Sequence, residues 1–290
     1  ETQGIGLELL GQGAWGAGQM TLVTGTGVLP KALNGDTAQV PARLAGKVQV
    51  FDLSSWKSVS VPPARGFGIP IRPVMGELFS GDSILPLAGW PNVGYGRIDR
   101  AVDVAGDDRL HLSVQGRNTT DWQAEPDLRV FAYWFYDWAA QTYPAYVGAD
   151  GRLTLRGSGA AYGIKKGQRL RIENALSELD MPGEWFLDRA SRRLLVWPIA
   201  PGQELEFSLA ETLLEVDDSR GVRVRGIDFE KSRGDAVTVR NSEDVILDGV
   251  SIRNTGNRAL VLEGGRACGL RRGLIEHTGE GGVLLAGGNR

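Results

Sequence analysis

The chain has 290 residues, of which 42% are apolar, and its 32 basic and 35 acidic side chains leave a formal net charge of −3. That balance offers no electrostatic case for nucleic acid, and no apolar run reaches the ~20 residues needed to span a bilayer. A single cysteine, Cys268, excludes an intrachain disulfide and any multi-cysteine zinc site, and the two histidines, His111 and His277, lack metal-ligand spacing, so no metal and no cofactor is expected.

Residues 1–27 carry two short apolar runs, Ile5 to Leu10 and Met20 to Val23, set between glycines, and are read as an early coil of the repeat described below. Within them, Gly11-Gln12-Gly13-Ala14-Trp15-Gly16 has dinucleotide-binding spacing, with Asp36 at the place of a ribose-binding acid. The context rejects it. Gly18, Thr21, Val23, Thr24, Gly25 and Gly27 follow, and they cannot build the helix whose N-terminus holds a pyrophosphate.

Residues 28–204 show no repeat and many aromatic and proline residues, which predicts an inserted β-rich module. Its expected strands are Lys47 to Leu53, Gly76 to Phe79, Arg109 to Val114, Leu128 to Trp138, Arg152 to Leu155 and Gln168 to Glu173. A hairpin follows, from Glu184 to Asp188, through a turn at Ser191, to Arg193 to Trp197.

Residues 205–290 repeat every 23 positions. Val222 falls over Val245 and Cys268, Val224 over Leu247 and Leu270, and Phe229 over Ile252 and Ile275. Further apolar columns run through Leu214, Val237, Leu260 and Val283, and through Val216, Val239, Leu262 and Leu285; Ala236, Ala259 and Gly282 form a small-residue column. Turn residues recur at Gly256 and Gly279, and at Asn241, Gly264 and Gly287. Charges alternate in sign up the stack: Asp217, Arg240, Glu263; Arg220, Glu243, Arg266; Arg225, Asp248, Arg271; Glu230, Arg253, Glu276; and Asp235 under Arg258. Stacked strands lie ~4.8 Å apart, so like charges in register are unfavourable, and this alternation checks the register independently of the apolar columns. The pattern predicts an all-β chain: a right-handed parallel β-helix of 23-residue coils with an inserted β-rich module.

Three segments carry a family resemblance: Gly89-Trp90-Pro91-Asn92, the aromatic run Tyr133 to Trp138, and Asn174 to Arg189 with its Asp180-Met181-Pro182-Gly183-Glu184-Trp185 core. Together with the coils, they resemble a bacterial family of right-handed β-helix carbohydrate-active proteins in the pectate-lyase-like superfamily, which includes glycoside hydrolase-like members. Gly89 departs from the arginine usual at that position. The resemblance implies a polysaccharide or oligosaccharide partner, a groove along the solenoid, and a secreted, periplasmic or cell-surface location. It also implies catalytic carboxylates on coils beyond Arg290, and hence a fragment, or a chain completed by an oligomeric partner.

The candidate catalytic residues are His277 and Glu280, since neither has an oppositely charged residue stacked on it, and turns projecting from a β-helix form saccharide-groove walls. Candidate substrate contacts are Asp235 and the aromatic residues Trp134, Tyr136 and Trp138, whose flat rings suit pyranose faces. Asp235 and Glu276 also read as ladder members beside Arg258 and Arg253, and alternate members of the aromatic run as core. The functional expectation is glycoside hydrolysis. A non-catalytic glycan-binding or structural module is the alternative, and a polysaccharide lyase a second one; the visible columns stack no two acids of the kind that would bind the Ca²⁺ many lyases use.

Overall fold

The computed structural model describes residues 19–22, 26–28, 40–55, 76–104, 107–156 and 162–288. Its strands fall into two compact units: one of residues 1–28, 73–84 and 206–290, the other of residues 29–72 and 85–205. Among the described residues the fold is all-β, with only single helical turns at Ala42–Leu44, Thr119–Trp122 and Leu176–Glu178. The expected run Ile5 to Leu10 lies outside the described residues.

The first unit is a parallel β-solenoid of about three turns of about 23 residues. One sheet stacks Leu214–Asp217, Val237–Arg240, Arg258–Glu263 and Gly281–Ala286. A second stacks Arg223–Arg225, Ile246–Asp248 and Gly269–Arg271, and a third Asp228–Glu230, Ser251–Thr255 and Leu274–Thr278. The register is the one in the sequence: Leu214 pairs Val237, which pairs Leu260, then Val283; Val224 pairs Leu247, then Leu270; Phe229 pairs Ile252, then Ile275. The inward columns make one core from Leu213 to Leu262. Because a coil is covered only by its neighbour, Leu274, Val283 and Leu285 in the last described turn are exposed. At the other end Gln19–Leu22 joins the first sheet antiparallel to Leu214–Asp217, so this part of the expected early coil borders the stack without sharing its parallel winding.

Four corners per coil hold the backbone in the left-handed region: Asp218, Asn241, Gly264 and Gly287; Gly221, Asp244 and Ala267; Gly226, Gly249 and Arg272; Lys231, Asn254 and His277. Non-glycine residues adopt this conformation at a cost of about 1–2 kcal/mol. Its recurrence at one place in successive coils means that the parallel winding imposes it. Gly256 is needed for a different reason. Its φ is ordinary, but an added Cβ would sit 2.2 Å from the Arg233 carbonyl oxygen.

Several charge columns close as expected. Glu243 bonds Arg220 at 3.3 Å and Arg266 at 2.5 Å, Arg240 meets Glu263 at 3.3 Å, and Arg253 meets Glu230 at 3.0 Å. Two differ. Asp248 accepts from Arg272 at 2.8 and 2.6 Å, because the guanidinium of that corner residue reaches it with two parallel donors. Asp235 takes the backbone N–H of Arg258 at 3.0 Å rather than its side chain.

The second unit is built around a closed antiparallel ring of six strands: Arg169–Glu173, Gly96–Val104, Asp107–Val114, Leu153–Leu155, Ala140–Val147 and Arg129–Tyr133, the last pairing back to the first. Ile98, Leu112, Trp122, Val130, Ala132, Trp134, Leu153, Leu170 and Ile172 fill it. The predicted hairpin forms as Trp185–Asp188 with Arg193–Val196, and Gln49–Asp52 pairs beside it. The expected strand Leu128 to Trp138 stops at Tyr133. Beyond it Lys165 N–H bonds the Trp134 carbonyl and Ala139 N–H the Tyr136 carbonyl, which closes a turn.

Candidate functional site

Two regions collect the residues that sequence reasoning singled out, one in each unit. The first is the solenoid corner between the strands ending at Glu230, Thr255 and Thr278 and those starting at Val237, Arg258 and Gly281. A backbone stack runs through it: Gly234 N–H donates to the Glu211 carbonyl at 2.9 Å, Asn257 to Gly234 at 3.2 Å, and Glu280 to Asn257 at 3.1 Å. Glu280 therefore sits two coils above Gly234, the neighbour of Asp235. Two stacking steps place the backbones of the two acids about 10 Å apart along the solenoid.

Asp235 is half-buried and fixed. Its Oδ1 accepts from the Asn257 side-chain amide at 2.7 Å and from Arg258 N–H at 3.0 Å. Asn257 is itself buried, and its Oδ1 has no hydrogen-bond partner among the described residues. Glu280 and His277 are exposed. His277 occupies a left-handed corner with φ 51°, above Asn254 at 53° and Lys231 at 61°. Lower in that column Lys231 Nζ pairs with Glu206 and lies 5.7 Å from the Phe79 ring centroid, while the Asn254 amide reaches the Asp82 carbonyl at 3.4 Å. The backbone at His277 is thus explained by the winding, and its imidazole is left to solvent.

The second region is on the barrel unit. Trp134 is buried, with its indole N–H donating to the Gln141 carbonyl at 2.8 Å and its ring 5.5 Å from Tyr143, so it has no face to offer a ligand. Tyr136 and Trp138, on the turn that follows, are exposed and stacked, with ring planes 9° apart.

The segments that carried the family resemblance are held by buried polar groups. Asn174, fully buried at φ 56°, donates to the Leu187 carbonyl at 3.2 Å and accepts from Leu187 N–H at 3.0 Å. Glu125 accepts the N–H groups of Leu176 and Ser177, both at 2.7 Å, and Glu178 accepts the Trp122 indole at 2.6 Å. Glu184 accepts from Asp180 and Met181 N–H; burial still raises its pKa, which those bonds oppose. Asn92 ties the first segment to the last by donating to Asp180 at 2.8 Å. Gly89 fits here because a Cβ would sit 2.1 Å from the Ile172 carbonyl oxygen. Beside this framework, burial lowers the pKa of Arg129, while Asp127 opposes the shift.

The fold resembles that of a glycoside hydrolase. A solved structure so described aligns at a TM-score of 0.61 and 14% identity, covering 83% of this chain and 50% of that one. The chain thus spans about half the length of that protein. No family model matches the sequence, and no curated protein was found similar to it. Among the described residues no three His, Cys, Asp or Glu side chains gather as a metal site would require, and no helix is long and apolar enough to cross a membrane.

The structure brings Asp235, His277 and Glu280 to one corner, and Tyr136 and Trp138 to one turn. Sequence reasoning missed Asn257, whose only signal was its place between Gly234 and Glu280 in a column. It also missed Tyr162, which packs on both Tyr136 and Trp138.

Proposed function

We propose that this protein is carbohydrate-active and hydrolyses glycosidic bonds in a neutral or acidic polysaccharide lying along the solenoid corner, as a β-helix protein of the pectate-lyase-like kind. The observation that carries the reading is the pair of carboxyl groups two coils apart on one corner of a fold shared with a glycoside hydrolase. Inverting hydrolysis uses an acid and a base about 6.5–9.5 Å apart, with room between them for sugar and water. Side chains leaning toward one another from backbones about 10 Å apart meet that span.

In this reading Asp235 is the base. The two N–H donors on its Oδ1 hold the carboxylate in one orientation, and leave Oδ2 to take a proton from the attacking water. Glu280, exposed above it, protonates the departing glycosidic oxygen, and His277 contacts sugar hydroxyls beside it. No metal or cofactor enters the step. The polymer substrate implies a secreted, periplasmic or surface location.

A second reading, glycan binding without turnover, is favoured by the structural use already made of Asp235 Oδ1. Release of reducing ends from a panel of polysaccharides separates the two. Turnover by the native chain, with Asp235→Asn and Glu280→Gln each lowering kcat by about 10²-fold or more, supports hydrolysis. Turnover that both variants retain sinks the assignment of the site, and absence of turnover on every glycan sinks the enzyme reading.

A further inference from the structure

The aromatic groups around the 134–139 turn form a surface that the hydrolase reading does not use. Tyr136 and Trp138 lie 5.4 Å apart with planes 9° apart, and Tyr162 stands at 71° and 66° to them, its centroid 5.4 and 5.5 Å away. All three are exposed, by 43, 54 and 54%. The same unit buries Trp122, Trp134 and Tyr143, so rings left outside stand against the general tendency of aromatic side chains to be covered.

The surface continues through polar groups. Asp137, between the stacked rings in sequence, pairs with Arg169 at 3.2 Å. The Arg169 guanidinium lies 4.1 Å from the Tyr133 ring centroid and 5.4 Å from that of Tyr95. Tyr133 meets Phe131 edge-on at 5.5 Å and Tyr95 at 6.1 Å, and Tyr95 is 41% exposed. Asp137, which separates Tyr136 and Trp138 along the chain, thus links the aromatic triad through Arg169 to a second aromatic group.

That composition selects its ligand. Flat ring faces complement the C–H faces of pyranoses, and the phenol hydroxyls, carboxylate and guanidinium supply donors and acceptors for sugar hydroxyls. A purely apolar partner would leave the Asp137–Arg169 pair desolvated without compensation. Asp137 and Arg169 offset one another, so that pair by itself favours neither an anionic nor a cationic ligand. We infer that this strip is a binding site for a neutral pyranose oligosaccharide several sugars long, carried by the barrel unit. The inference goes beyond the proposed hydrolysis and does not require it.

Isothermal titration calorimetry of the intact chain against neutral gluco-, xylo-, manno- and galacto-oligosaccharides and matching oligouronates tests it. Saturable binding of at least one neutral oligosaccharide is expected, weakened about tenfold in Trp138→Ala and in Tyr136→Ala. Tyr162→Ala, at an equally exposed position, serves if either variant misfolds by circular dichroism. Val93→Ala, exposed and outside the strip, should bind as the native chain does. Binding of no neutral sugar, binding of uronates alone, or unchanged affinity in the aromatic variants would overturn the inference.

Discussion

Leu262 and Leu285 are successive rungs of one column, paired strand to strand, yet Leu262 is 7% exposed and Leu285 72%. The same substitution at the two positions therefore isolates what one overlying coil contributes. Leucine to alanine removes about three methylene-sized groups at about 0.8 kcal/mol each, or about 2.4 kcal/mol where burial is complete. The cavity left between Val239, Leu285 and the facing sheets brings Leu262→Ala to about 3 kcal/mol. At Leu285 roughly a quarter of the side chain is covered, so Leu285→Ala should cost less than about 1 kcal/mol. All eight tryptophans precede residue 205, so their fluorescence does not report on the coils. Hydrogen-exchange mass spectrometry of peptides spanning 237–263, in rising urea, does. Equal losses of protection in the two variants would refute the coil-by-coil burial argued here.

Gly256→Ala should destabilise the solenoid by about 2 kcal/mol or more, since the new methyl meets a backbone oxygen that cannot yield. Gly281→Ala, with open space and an ordinary φ, should leave the urea midpoint unchanged. The pKa of Asp248 is lowered, first by the Arg272 hydrogen bond. A carboxylate depressed in the folded state adds stability above its unfolded pKa of about 4, and that stability disappears as pH falls through the folded value. Asp248→Asn should therefore narrow the gap between urea midpoints at pH 6 and pH 3, and an unchanged gap would count against the pairing with Arg272.

The solenoid was legible because parallel coils return the same inward position to the same place, so side chains 23 residues apart share one environment. Its corners were half legible. Asn241, Gly249 and Gly264 announce a left-handed backbone, whereas Ala267, Arg272 and His277 adopt it only because the coil beneath does. The charge columns fixed register, but guanidinium groups chose partners by reach, as Arg272 shows.

The barrel was less legible because its antiparallel register depends on pairings across the whole module. The strand Ala140–Val147 contains Pro144, which argues against a strand; it sits where no N–H is required and offers its carbonyl to Arg156. Gly96–Val104 was hidden by the consecutive charges Asp99 and Arg100, which break the apolar alternation where the strand register shifts. The aromatic run read as one strand divides at Tyr133, and that division is what buries Trp134 while leaving Tyr136 and Trp138 outside.

We propose that Asp235 and Glu280, two coils apart on one solenoid corner, hydrolyse a glycosidic bond. Time-resolved proton NMR of a cleaved oligosaccharide, recorded before mutarotation, tests it most directly. Their two-coil separation predicts that the first product carries the inverted anomeric configuration, and that Glu280→Gln abolishes its appearance. Retained configuration, or unchanged cleavage by Glu280→Gln, would contradict it.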